Sequence, residues 1–330
     1  MGNIRPQNIY DADEEQLLES IRSETSRSNI DNISRTQAYF EFYLKEPDMV
    51  WAFLASMVSR NAGWNMCDLR GQWFPRLLEP KIRNRLFLAY ERANWLIFRD
   101  AYPQLLLYQN STKKGRQMFH LLPGLDVSAF MEHEWRHYWE KRDKKRLMTA
   151  LIINEQNVIQ KPVIKHHFYK DKVFNTALFT FQDRLHFSSV LFPTCSGELF
   201  GASVNGFRSV NKRIDLGKRL ADILFDDRHY RAFLEFALRT EHTGSRNDYE
   251  QYFRDREKRD TPFLRLTYPV ISHNYNSQED WFSNTKIDRA WFKPDVRHHD
   301  PVHVTDWYRE KQIQLHSLIM LNSLFRKKKR

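Results

Sequence analysis

The chain predicts an all-α fold: one large multi-helix domain, an irregular arm laid over it, and a closing helix. Three observations carry that prediction. Apolar residues recur at three- and four-residue spacing almost without a break from about 34 to 240. Glycine is scarce, 10 in 330 residues, so tight turns are few and a sandwich or barrel is disfavoured. Hydrophobic residues make up 41% and aromatics 14%, enough burial to offset the entropy of folding and to exclude wholesale disorder.

In chain order, residues 1–30 form an acidic, partly disordered segment with a short helix at 12–24 and a polar linker through Ser34. The helical core domain spans 31–240. SRTQAYFEFYLKE opens it with a Ser or Thr cap, and MVWAFLASMVSR follows Pro47-Asp48 and ends near Gly63. Further helices are predicted at 80–99, 126–142, 145–160, 172–189, 203–224 and 228–240. At about 241 the pattern changes. EHTGSRNDYEQYF holds at most one helix, and 255–303 carries Pro262, Pro269, Pro294 and Pro301 among aromatics without period. Residues 241–303 therefore read as an irregular arm packed on the core through Phe263, Tyr268, Trp281, Phe282 and Trp291. Residues 304–330 form the closing helix, capped by Thr305 or Asp306, with a basic tail.

The net charge is +11, unevenly placed: residues 1–24 hold six acids and two bases, and RKKKR ends the chain. Basic side chains concentrate at Lys113-Lys114-Arg116, Lys141 to Arg146 and Arg208 to Arg219. Such a balance favours an acidic macromolecule as partner, whether protein, nucleic acid or an anionic lipid surface. No run approaches 18 apolar residues, so no transmembrane segment is predicted. The N-terminus lacks the apolar core of a signal peptide, and Cys67 and Cys195 form no CxxC, so the chain reads as cytoplasmic with reduced thiols.

AFLASMVSRNAGWNMCDLRG (52–71), HEWRHYWEKRDKKRLMTALIINEQ (133–156), LHFSSVLFP (185–193) and DLGKRLADILF (215–225) together resemble the YppC-like family of Bacillus-type proteins. The resemblance covers the chain from about 30 onward. It implies a bacterial cytoplasmic protein; the family carries no assigned activity and so supplies no catalytic residues.

HEWRH at 133–137 spells His-Glu-x-x-His, which on a helix puts two imidazoles four residues apart on one face. A zinc hydrolase would use His133 and His137 as ligands and Glu134 as general base. Its third ligand would be Glu155, level with His133 if the two helices turn near Asp143-Lys144. Asn154-Glu155 here resembles the third-ligand helix of the gluzincin proteases. Three features oppose zinc. Arg136 is charged where that family is not. Val158 and Ile159 stand where its Ser and Asp do. The apolar face of Val127, Met131, Trp135, Tyr138 and Trp139 turns both histidines to the opposite flank with Glu140.

The competing reading places the histidines on a solvated or groove-facing flank and Asn154 and Glu155 in a buried polar network. Arg60, Asn61 and Asn65 of SRNAGWN are its candidate partners, and Arg60, Asn61, His133, His137 and Glu155 could line a polar groove. Arg297-His298-His299-Asp300 with His303 reads as a surface cluster, and Gly201 to Gly206 lacks the Gly-Lys of a phosphate loop. The sequence therefore favours a non-enzymatic basic binding protein for an acidic partner, with no cofactor. The HExxH zinc hydrolase is the alternative.

Overall fold

In a computed structural model the structure describes residues 10–167, 189–204, 206–254, 261–275, 279–294 and 302–327. Helix α1 (Ala12–Ser28) opens with a reciprocal cap. The Asp11 carboxylate accepts the Glu14 N–H at 2.8 Å, and Glu14 accepts the Asp11 N–H at 3.3 Å. The linker predicted through Ser34 is shorter than expected. Asp31 accepts the Ser34 N–H and so starts α2 (Asn32–Lys45) early.

Helix α3 (Val50–Asp68) packs along α2 and continues past Gly63, where its end was predicted. Gly63 is a close-approach residue: a Cβ there would strike the Asn32 amide oxygen and come within 2.8 Å of the His242 ring. Those two side chains cross the helix at this point to bond each other, His242 Nε2 to Asn32 Oδ1 at 2.8 Å.

After the short α4 (Phe74–Leu77), α5 runs from Pro80–Lys114, well beyond the predicted stop at 99. Pro103 lacks the N–H that would bond the Arg99 carbonyl. The helix continues because its buried side continues, through Ala101, Leu105, Leu106 and Tyr108, until Gly115 ends it at φ 66°. Helices α6 (Ala129–Lys141) and α7 (Lys144–Val158) form an antiparallel hairpin, capped by the Ser128 hydroxyl and the Asp143 carboxylate. The helix predicted at 172–189 lies outside the described residues, save Ser189.

That residue opens a small sheet within a fold that is otherwise all-α, as expected. β1 (Ser189–Pro193) and β2 (Leu199–Ser203) form a two-stranded antiparallel hairpin with Leu191 opposite Gly201. Both outer edges are covered. Asn61 of α3 donates Nδ2 to the Leu191 carbonyl and accepts the Leu191 N–H on Oδ1, each at 2.8 Å. On the other side Gly201 donates to the Val302 carbonyl at 2.9 Å, and Val304 donates to the Leu199 carbonyl at 2.8 Å.

Helices α8 (Val210–Leu224) and α9 (Tyr230–Arg239) follow, then the short α10 (Asn247–Glu250) and α11 (Leu264–Thr267). The closing helix α12 (Thr305–Lys327) begins at Thr305 itself. The Thr305 hydroxyl, one of the two expected caps, accepts the Leu199 N–H of β2 at 2.9 Å.

One hydrophobic cluster runs from Leu18 to Tyr308, with Trp51, Trp64 and Trp135 wholly inside it. The fold is mostly helical, and no described helix is long and apolar enough to cross a membrane.

Candidate functional site

His133 of α6 is exposed and His137 half-buried, while Glu134 between them is buried at 3% exposure. Both Glu134 oxygens are spent on one guanidinium. Arg146 Nε donates to Oε2 at 2.7 Å and its Nη2 to Oε1 at 2.8 Å. Arg146 comes from the first turn of α7, and its guanidinium lies 4.8 Å from the ring centre of Phe292 in the arm. Glu134 raises the basicity of Arg146 through this bond. Arg136 pairs with Glu132 one turn back, at 2.7 Å.

Glu155 faces elsewhere. It borders a cavity whose walls include none of His133, Glu134 or His137, and it accepts the Gln156 side-chain N–H at 2.9 Å. Burial pushes its carboxyl up to about 8, against the opposing pull of the Gln156 bond and the Arg213 charge. The four side chains of the zinc reading therefore do not converge. Among the described residues no three His, Cys, Asp or Glu side chains are grouped to hold a metal ion.

Asn154, next to Glu155, is a junction between body and arm. Its Oδ1 accepts from the Ser128 hydroxyl at 3.0 Å and from Trp281 Nε1 at 2.8 Å, and its Nδ2 donates to Asp100. Asp100 also accepts from Gln104 Nε2 at 2.8 Å. Burial raises the Asp100 carboxyl to about 7 despite those donors.

Arg60, Asn61 and Asn65 do not line a groove with Asn154, because each is used up inside the fold. Arg60 donates to the Thr240 and Ala237 carbonyls at 3.0 and 3.2 Å, placing a cation at the negative C-terminal end of α9. Burial there lowers its pKa to about 10. Asn61 holds β1, as above. Asn65 accepts from Arg246 Nη2 at 2.9 Å, and Arg246 also meets Asp68 at 2.6 Å. Sequence reasoning missed Asp100, Arg146 and Arg246 as partners. Arg146 was hidden in a basic run, and the other two bond residues 54 and 181 positions away, beyond any local spacing.

A different site forms on the surface. Trp135 Nε1 donates to Gln104 Oε1 at 2.8 Å, and the Tyr108 ring lies 5.4 and 5.9 Å from Trp135 and Tyr138. Rising numbers on α5 thus meet rising numbers on α6, so the two helices run in the same direction. Lys113, Lys114 and Arg116 at the C-terminal end of α5, and Lys141, Arg142, Lys144 and Lys145 at that of α6, are all exposed. The α2–α3 turn joins them through a Lys144–Asp48 pair at 2.5 Å and a Gln109–Glu46 bond, adding exposed Lys45. Of these eight cations only Lys144 pairs with a carboxylate among the described residues. The two C-terminal helix dipoles help hold the charge together.

A family described as "Protein of unknown function (DUF2515)" matches residues 27–326. The uncharacterized protein YppC of Bacillus subtilis (strain 168) is 45% identical over 313 residues, covering 94% of this chain and 97% of that protein. No solved structure matches.

Proposed function

We infer that this chain, which belongs to the DUF2515 family, is a non-enzymatic helical binding protein for an acidic macromolecule. The observation that carries this reading is the basic end of the molecule. Two runs that are 25 residues or more apart in sequence, at Lys113–Arg116 and Lys141–Lys145, close neighbouring helices there, and with Lys45 their eight cations outnumber the acids beside them, Glu46, Asp48, Glu140 and Asp143. A polyanion that replaces small counterions at such a patch binds with an affinity that falls linearly in log salt. Acidic protein, nucleic acid and anionic lipid surfaces all offer that chemistry.

The test is retention of the full chain on heparin and its binding to duplex DNA and to vesicles of anionic phospholipid, across a salt series. The Lys114→Glu/Lys145→Glu variant should bind more weakly and with a shallower salt slope. Lys81→Glu is the control: it sits at the other end of α5, about 50 Å away at 1.5 Å per residue, and should change binding little. Salt-insensitive behaviour on all three probes, or equal losses in both variants, would remove the reading.

A further inference from the structure

Arg142 stands apart from the other cations of the basic end. It closes α6, its backbone N–H donating to the Tyr138 carbonyl at 2.8 Å, and Asp143 behind it caps α7. Its backbone is left-handed, at φ 55°, in the position where helices commonly end in glycine. A side chain there is disfavoured, because Cβ crowds the following carbonyl. Among the described residues only Asp126 and Arg142 are non-glycines in this conformation. Asp126 uses it to hold Arg99 at 2.8 Å. The Arg142 guanidinium has no hydrogen bond or carboxylate partner among the described residues, so no polar bond within the fold offsets the cost.

What holds the guanidinium is aromatic. It lies 4.9 Å from the ring centre of Trp139 and 5.7 Å from that of Tyr138. Tyr138 is buried and Trp139 half-buried against the main cluster, so the platform under the cation is firm. Phe119, three residues past Arg116, packs 6.0 Å from Trp139 and ties this platform to the segment that follows α5. The result is an exposed arginine fixed in place with its five N–H donors open.

The open donors narrow the choice of partner. A planar fork takes phosphate oxygens two at a time, whereas a lysine acts as a point charge. Duplex DNA carries one negative charge about every 1.7 Å along its axis, dense enough to meet Arg142 and its neighbours Lys141 and Lys144 at once. A carboxylate fits the same fork, but protein surfaces mix both signs of charge and present such groups more sparsely. A lipid surface is gripped firmly when charge is joined by inserted apolar side chains. Of the large apolar side chains that are exposed, only Leu44 neighbours a cation of this end in sequence.

We propose that the acidic partner is a nucleic acid held through its phosphate backbone, and that Arg142, stacked on Trp139, is the phosphate anchor. This rests on the polyanion reading above and names the partner and the residue that reading leaves open.

The test compares binding of the full chain, at one salt concentration, to a mixed-sequence DNA duplex, a single-stranded RNA, vesicles of phosphatidylglycerol in phosphatidylcholine, and polyglutamate. At least one nucleic acid should bind more tightly than the vesicles and polyglutamate. Arg142→Lys keeps the charge and loses the fork, so it should weaken that binding about tenfold, the scale of one hydrogen bond to a charged group. Lys141→Arg, which also keeps the charge, should bind at least as well as wild type. Arg142→Gly should weaken binding further and yet melt at or above the wild-type temperature, because glycine accepts the left-handed backbone freely. Three results would each overturn the anchor and leave the polyanion reading standing: unchanged nucleic-acid binding in Arg142→Lys, tighter binding to vesicles or polyglutamate, or a lower melting temperature in Arg142→Gly. Failure to bind any of the four probes would remove both.

Discussion

Glu134 shows how one residue changes meaning with its neighbour. In HEWRH it has the position of a general base, and in the folded chain it is the buried half of a two-bond ion pair with Arg146. Removing one member of such a pair strands the other, so Glu134→Ala should destabilise the chain by about 2–3 kcal/mol in urea unfolding. His133→Ala, on an exposed site, should stay within about 0.5 kcal/mol of wild type. Equal, small effects would mean the ion pair contributes nothing.

Asp100 makes a pH prediction. Its folded pKa is raised, chiefly by burial, from 3.8 to about 7. A carboxyl raised in this way holds its proton longer folded than unfolded. Its stabilising contribution is full below about pH 4 and is lost as pH climbs to 7. Asp100→Asn keeps an oxygen for Asn154 and Gln104 but cannot ionise, so its urea midpoint should fall less than that of wild type between pH 4 and 7. Parallel profiles would refute this. The polar character of Asn154 and Glu155 within apolar stripes was legible in the sequence. Their partners were not, because Asp100, Trp281 and Arg213 reach them from elements far along the chain.

At the level of elements, the β-hairpin depends on a side chain that imitates a strand. Asn61 offers Leu191 an acceptor and a donor, as a neighbouring β-residue would, and its Nδ2 also bonds the Met57 carbonyl of its own helix at 2.9 Å. Asn61→Leu leaves the Leu191 N–H and C=O buried without partners, at about 1–3 kcal/mol for each group. Hydrogen exchange should report it directly: the Leu191 amide loses protection in the variant, while amides in the middle of α5 keep theirs relative to the new global stability. Unchanged exchange at Leu191 would sink the claim. Helices with long amphipathic periods, such as α6 and α7, were readable almost to their ends. The hairpin was not, since SVLFP and LFGAS are five-residue apolar runs buried on both faces, a pattern shared with inner helix turns. The extension of α5 through Pro103 was hidden for the opposite reason, because tertiary burial outweighs one lost backbone bond.

Across the whole molecule, the arm is tied to the body by polar bonds as well as by apolar contact. Trp281 bonds Asn154, Trp291 Nε1 donates to Asn211 at 3.0 Å, and the Tyr268 hydroxyl donates to the Met66 carbonyl at 2.9 Å. Asp280 accepts the Ala129 N–H at 2.9 Å, and Arg265 pairs with Asp31 at 2.8 Å. The scattered aromatics without helical period foretold burial: Tyr268, Trp281 and Trp291 are inside, whereas Phe263 is 48% exposed. Residues just past 240 go deeper still. Asp248 accepts from Trp64 Nε1 at 2.9 Å and meets His242 at 3.2 Å, and Tyr249 packs 4.7 Å from the Trp64 ring. A chain cut after Thr240 would lose those bonds, the 302–304 cover on β2 and every arm tie together. Many of the bonds cut are buried, so their loss leaves unpaired polar groups in addition to exposed apolar surface. The full chain should therefore unfold in one transition, with far-ultraviolet and near-ultraviolet circular dichroism coincident. The fragment 1–240 should keep helical far-ultraviolet signal while losing near-ultraviolet signal and binding a hydrophobic dye, the behaviour of a chain that has lost specific packing. A fragment that unfolds cooperatively with native aromatic signal would show that the arm is an accessory to the body; these buried bonds make it part of the body's own core.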